Sequence, residues 1–130
     1  FNDLYVGVAD SNAMLNGAPI QVKSETDLSE AVVTISFGSQ TDTIQRMEKI
    51  CSVLIKQVRK IRMFGCTGLD IVKVAQGHFS GLIQPSVRIW DFAAARIIIE
   101  ESGGVFDASR ISENRNTSRI MGSNTLKTVI

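Results

Sequence analysis

Asp91 is the residue best placed to do chemistry. It stands beside Trp90 at the mouth of an apolar stretch, Phe92-Ala93-Ala94-Ala95 and onward to Glu100-Glu101-Ser102, which stops at Gly103-Gly104. No proline interrupts the stretch, and alanines and isoleucines fall on every face, a pattern that reads as a buried helix. A charge at the start of a buried helix needs a reason. One is an N-cap, in which the carboxylate accepts free backbone N–H groups and is favoured by the helix dipole. The other is a metal ion: Mg2+ binds through one or two carboxylates plus waters and substrate phosphate. Position alone leaves both open.

A second place is Gly65-Cys66-Thr67-Gly68. Glycine lets a backbone approach a ligand, and the free N–H groups of a helix start can hold anionic oxygens. The plainer reading is a strand-to-helix turn capped by Thr67. A third is the run from Gln84 to Arg88 ahead of Trp90, where Arg88 either faces a phosphate or carboxylate or is a surface arginine. Cys66 is not expected to be a nucleophile, because it would want a base. The one histidine, His78, follows Gly77 and is expected to face solvent.

The elements that must position these residues alternate. Leu4 to Val8 reads as a strand, and Asn16-Gly17 is a turn signal before a second strand at Ile20-Gln21-Val22, the two forming a hairpin with a long connection. Ala31 to Phe37, rich in β-branched residues, reads as a central strand. Ile44, Met47, Cys51, Leu54, Ile55 and Val58 make one apolar stripe, predicting an amphipathic helix from Thr41 to Arg59. A strand at Ile61–Phe64 follows, then a helix from Thr67 to Gln76 with Asp70 and Lys73 on its polar stripe, and a strand from Phe79 to Ile83. After the double glycine, Val105-Phe106 and Arg119-Ile120-Met121 read as a strand pair around a polar loop, and Asn124 starts a last helix. Strands alternating with helices point to a single α/β domain over residues 1–130, a mixed sheet covered by helices.

Bulk properties exclude more than they assign. At 130 residues, 44% apolar and 21% charged, the chain has an ordinary globular composition. A net charge of +1 forces no nucleic-acid or membrane partner. The cluster Lys56, Arg59, Lys60, Arg62 reads as a solvated helix end. No apolar run reaches membrane-spanning length. Cys51 and Cys66 lack a disulfide-framework pattern, which predicts reduced thiols and a cytoplasmic location. The chain opens Phe1-Asn2-Asp3-Leu4-Tyr5 without a methionine, and we expect a fragment whose upstream part lies outside it.

Four ordered motifs resemble the inositol monophosphatase family: Leu4-Tyr5 with Leu15-Asn16-Gly17, Gly65-Cys66-Thr67-Gly68 with Val74-Ala75-Gln76-Gly77, Trp90-Asp91 with Ala93-Ala94, and Glu100-Glu101-Ser102-Gly103-Gly104. The resemblance implies the C-terminal half of a layered sugar-phosphatase-like fold, with a five-stranded sheet between helix layers. It implies that Asp91 binds a catalytic Mg2+ and helps hold an activated water. It also implies that Gly65, Cys66 and Thr67 contact the substrate, and that Ser39 lies near it, although Ser39 reads equally as a turn serine. Members acting on inositol phosphates often carry Glu where Gln84 stands; Gln keeps one acceptor, gains donors and loses the charge. The family's Asp-Pro-Ile/Leu-Asp-Gly-Thr segment and upstream Glu do not occur in these residues. One carboxylate cannot clamp two metals, so the expectation is an Mg2+-dependent phosphomonoesterase needing an N-terminal half, with this stretch inactive alone. The alternatives are a non-catalytic binding or dimerisation domain, or another substrate: histidinol phosphate, fructose bisphosphate or a nucleotide 3′-phosphate. The family often forms homodimers.

Overall fold

The computed structural model describes residues 2–24, 27–112 and 115–121, from 109 onward as backbone path. A small antiparallel sheet comes first, β1 (Tyr5–Val6), β2 (Met14–Leu15) and β3 (Ala18–Pro19), in the order β1-β2-β3. Asn16 and Gly17 both take positive φ, 52° and 83°, the two-residue turn whose twist matches paired strands. This corrects the expected hairpin. The Asn-Gly turn joins β2 tightly to β3, and β1 pairs with β2 rather than with Ile20–Val22.

The main sheet holds β4 (Val32–Ile35), β5 (Lys60–Arg62), β6 (Gly81–Ile83), β7 (Val105–Ser112) and β8 (Arg115–Met121) in the order β5-β4-β6-β8-β7. β4 is parallel to both β5 and β6, whereas β8 is antiparallel to β6 and β7. The sheet is therefore mixed, as expected. The expected strand pair is present, with Val105 opposite Met121 and Phe106 opposite Ile120. The last helix expected from Asn124 lies outside the described residues.

Each face of the sheet is covered. Helix α1 (Thr41–Leu54) packs Met47 and Leu54 against Val33, Ile35 and Ile83. Helices α2 (Thr67–Ala75) and α3 (Ile89–Glu101) cover the other face, where Ile71, Val74, Phe92, Ile98 and Ile99 surround Leu82. α1 is shorter than its stripe predicts. After Leu54 the bonds tighten to Lys56 N–H→Val53 C=O (3.2 Å) and Gln57 N–H→Leu54 C=O (2.9 Å), which turns the chain toward β5 while Val58 stays in the core. Ile55, on the same stripe, is left exposed.

Two further expectations are corrected. α3 is not buried all round: Phe92, Ala95, Ile98 and Ile99 are buried, while Ala93, Ala94 and Ile97 on the other faces are exposed. Asp70 is not on a polar stripe but fully buried, on the side of α2 shared with Ile71 and Val74. One polar residue in a helix as short as α2 does not mark a face by itself.

α2 and α3 end alike. Gly77 and Gly103 take positive φ, 74° and 82°. The bonds Gly77→Val74 with His78→Lys73, and Gly103→Glu100 with Gly104→Ile99, satisfy carbonyls of each last turn. The small sheet docks across α2 and α3. The Tyr5 hydroxyl donates to Gln76 Oε1 at 2.9 Å, and Lys73 Nζ donates to the same oxygen at 2.8 Å and to the Tyr5 oxygen at 3.3 Å.

Candidate functional site

In open α/β sheets, ligands gather outside the carboxyl ends of parallel strands, where successive connections part to opposite faces. This chain has that arrangement around β4. The loop after β4 carries Ser39 into α1 on one face. The loops after β5 and β6 carry Gly65–Thr67 and Gln84–Asp91 into α2 and α3 on the other. Because β4, β5 and β6 are parallel, all seven residues singled out from sequence lie beyond the same end of the sheet.

Within that end the residues differ in setting. Gly65 has φ 76°, a left-handed conformation that disfavours side chains, although a Cβ there would meet nothing within 4 Å. Its glycine is required by backbone conformation rather than by crowding. Cys66 is exposed and is the N-cap of α2 without a side-chain cap bond, which corrects the cap expected from Thr67. Thr67 is instead the first helical residue, and its hydroxyl donates to Gln84 Oε1 at 3.0 Å. Gln84, just past β6, is 4% exposed. This bond ties the start of α2 to the end of β6, and nothing local in sequence signals a pair seventeen residues apart.

Asp91 is exposed and lies in the first turn of α3. The N-cap is Arg88, and the Asp91 N–H donates to the Arg88 carbonyl at 2.9 Å, so Asp91 is inside the helix and does not cap it. Its charge still complements the dipole of the first turn. No hydrogen bond or ion pair to its carboxylate occurs among the described residues. Arg88 stacks its guanidinium 5.2 Å from the centroid of the Trp90 ring, which is 70% exposed. Ser39 is exposed in the bend before α1, and no partner of its hydroxyl occurs among the described residues.

A complete metal cage is not assembled here. No group of three or more His, Cys, Asp or Glu comes together among the described residues. Asp91 fits one hard-oxygen corner of a Mg2+ site and no more. His78 is exposed, as expected. Both cysteines are free; partial burial pushes the Cys51 thiol pKa up. Arg59 of the basic cluster pairs with Glu30 at 3.3 Å on the surface. No helix among the described residues is long and apolar enough to cross a membrane. A groove lined by Asp10, Ser11, Pro19, Gln21 and Glu101 sits at the opposite end of α3, away from all these residues.

Comparison with known proteins gives the same direction. The Inositol monophosphatase family model matches residues 1–126. The chain is 34% identical over 129 residues to an inositol monophosphatase of Mesembryanthemum crystallinum, covering 96% of this chain and 48% of that protein. It is 30% identical to a fructose-1,6-bisphosphatase/inositol-1-monophosphatase of Aquifex aeolicus (strain VF5), covering 95% and 47%. Among solved structures, Mycobacterium tuberculosis SuhB superposes with a TM-score of 0.84 at 20% identity, over 97% of this chain and 51% of that one. The Thermotoga maritima IMPase TM1415 superposes with a TM-score of 0.77 at 25% identity, over 98% and 50%. The chain spans about half the length of the curated relatives it matches. With the fold, the motif order and the family match in agreement, the chain belongs to the inositol monophosphatase family.

Proposed function

We propose that these residues form the substrate-contacting half of a Mg2+-dependent phosphomonoesterase that hydrolyses a small phosphate ester by metal-activated water. The observation that carries this reading is the gathering of Gly65–Thr67, Gln84 and Asp91 beyond one end of three parallel strands. Asp91 would supply one carboxylate ligand, its oxygens being exposed and without a protein partner among the described residues. When bound, Mg2+ supplies charge neutralisation at phosphate and a more acidic water. Gly65 and Cys66 present backbone N–H groups at the start of α2, and Thr67 holds Gln84. Arg88, the N-cap of α3, adds a cation three residues before Asp91. The remaining metal ligands would come from chain outside residues 1–130.

The named activities of the relatives favour a small phosphorylated polyol or sugar as substrate. Homodimer formation and a reducing cytoplasmic setting belong to the same reading, the latter supported by two free cysteines. The test is phosphate release by the protein at its full natural length from inositol 1-phosphate, fructose 1,6-bisphosphate, histidinol phosphate and a nucleotide 3′-phosphate, with Mg2+ and with chelator. Release that stops with chelator is expected. Release from none of the four would favour a non-catalytic binding module on the same fold.

A further inference from the structure

The first turn of α2 is held by little. Its N-cap, Cys66, makes no side-chain bond to the free N–H groups, and at Gly68 a Cβ would meet nothing within 4 Å. A helix start without a cap bond frays more readily, and glycine in the first turn adds to that. Cys66 and Leu69 are exposed, and Thr67 and Gly68 are half-buried. Asp70 is the one buried side chain of the turn, and it is an acid. What seats this turn on the sheet is therefore a carboxyl together with the Thr67–Gln84 bond.

Nothing in that layer answers a charge on Asp70. Neither of its oxygens has a partner among the described residues. The faces packed against α2 are apolar, Phe92, Ile98 and Ile99 from α3 and Leu82 from β6. Thr34 of β4 stands opposite Leu82, is equally buried, and its hydroxyl also has no partner among the described residues. Lys73 Nζ is bonded to Gln76 and Tyr5, and the Tyr5 hydroxyl, from the small sheet, is bonded to Gln76. Arg62, opposite Thr34 on β5, is exposed with its guanidinium on the Ile61 carbonyl. An ionised carboxylate in such a place is satisfied by reaching water. The side chain of aspartate is short, so reaching water lifts the backbone that carries it. The first bond to go is the one from the Asp70 N–H to the Cys66 carbonyl, 2.9 Å long.

We propose that Asp70 is a positioning residue for the substrate-contacting turn and that its proton is the latch: protonated, the first turn of α2 stays seated on the sheet; ionised, it opens and takes Thr67 off Gln84. The link to substrate rests on the phosphomonoesterase reading above; the latch does not. Opening exposes a carboxyl that titrates near 3.8 in water and at about 6 when buried. The open population therefore grows as pH rises through that window and levels off above it. From pH 5 to pH 7 the growth is about 10-fold.

Native-state hydrogen exchange of the full-length protein, read at the Asp70 amide across that pH range and corrected for intrinsic exchange, tests the latch. We expect an opening that low urea leaves unchanged, the mark of a local event, and that grows about 10-fold from pH 5 to pH 7. In Asp70→Asn it should stay flat. Exchange only through urea-sensitive global unfolding, or an equal pH dependence in Asp70→Asn, overturns the inference. If Asp70→Asn does not fold, the parent decides alone, and an opening that is flat with pH sinks the latch. For substrate, the KM of the parent divided by that of Asp70→Asn should rise about 3-fold or more from pH 5 to pH 7, with the kcat ratio constant. Taking the ratio divides out titration of the ester and of metal-bound water. A constant KM ratio overturns the role in positioning substrate. If none of the four esters named above is hydrolysed, the phosphatase reading fails, and the exchange measurement decides the latch by itself.

Discussion

The Glu101 carboxylate accepts the backbone N–H of Ser11 at 3.1 Å, and its other oxygen accepts that of Asp10 at 3.1 Å. The last residue of α3 thereby holds the loop between β1 and β2, ninety residues away in sequence. The same junction is closed by two backbone bonds, Ala13 N–H to the Glu101 carbonyl and Val22 N–H to the Ser102 carbonyl. Charge-assisted bonds to backbone donors are stronger than neutral ones, though this pair is open to water. We expect Glu101→Ala to cost about 1–2 kcal/mol and to raise amide exchange at Asp10 and Ser11 first. Hydrogen exchange read by mass spectrometry checks this; unchanged protection of that loop would show that the backbone bonds suffice.

Burial raises the Asp70 pKa to about 6 from an ordinary value of 3.8. Neither carboxyl oxygen has a partner among the described residues. The sign follows from proton linkage. Between about pH 4 and 6 the folded protein holds a proton that the unfolded chain releases, so stability falls as pH rises through that window and then levels off. The loss amounts to about 3 kcal/mol by pH 7. Asp70→Asn should remove the slope, matching the parent near pH 4 and exceeding it at pH 7. Urea unfolding of both proteins across that range reads the difference. Parallel stability curves would mean that Asp70 keeps its charge in a setting other than the one described.

Gly104 closes α3 under crowding. A Cβ there would lie 2.8 Å from Ile99 Cγ1, 2.9 Å from the Ile99 carbonyl and 2.9 Å from Val22 Cγ1. The carbonyl cannot move without undoing the helix-ending bond from the Gly104 N–H. Gly104→Ala should therefore destabilise by about 1–3 kcal/mol. At Gly65 the reason is backbone conformation alone, and Gly65→Ala should cost about 1–2 kcal/mol. Thermal unfolding of the two variants ranks them.

Asp91 is exposed and unpartnered among the described residues, so Asp91→Asn should leave stability within about 0.5 kcal/mol of the parent. Activity of the full-length protein with Mg2+ should fall by about 100-fold or more, since even groups behind a metal ligand cost 10–100-fold. Full activity in this variant would remove Asp91 from the metal site. Residues 1–130 alone should show no Mg2+-dependent phosphate release, because one carboxylate does not assemble the metal clamp.

Much of the architecture was legible because it rests on local chemistry. Asn16-Gly17 specifies a two-residue turn through positive φ, and Gly103-Gly104 specifies the stop of α3. The pairing of Val105-Phe106 with Ile120-Met121 follows from apolar runs either side of a polar segment. The reading of α1 to Arg59 overshot because periodicity sees the stripe through Val58 and not the tightened bonds after Leu54.

The sequence by itself determined which residues could carry chemistry: a glycine-led helix start at Gly65, an amide at Gln84 and a carboxylate at Asp91. Each identity is local, and its possible bonds are set by its own atoms. Only the tertiary structure decided how they are used. Strand order brought the three loops to one end of the sheet, and packing of α2 against α3 and β6 accompanies the sealing of Asp70 away from water. The Thr67 hydroxyl came to donate to Gln84 across seventeen residues of sequence. Those outcomes depend on which faces meet across long sequence separations, and a pattern of side-chain types along one strand or helix contains no such information.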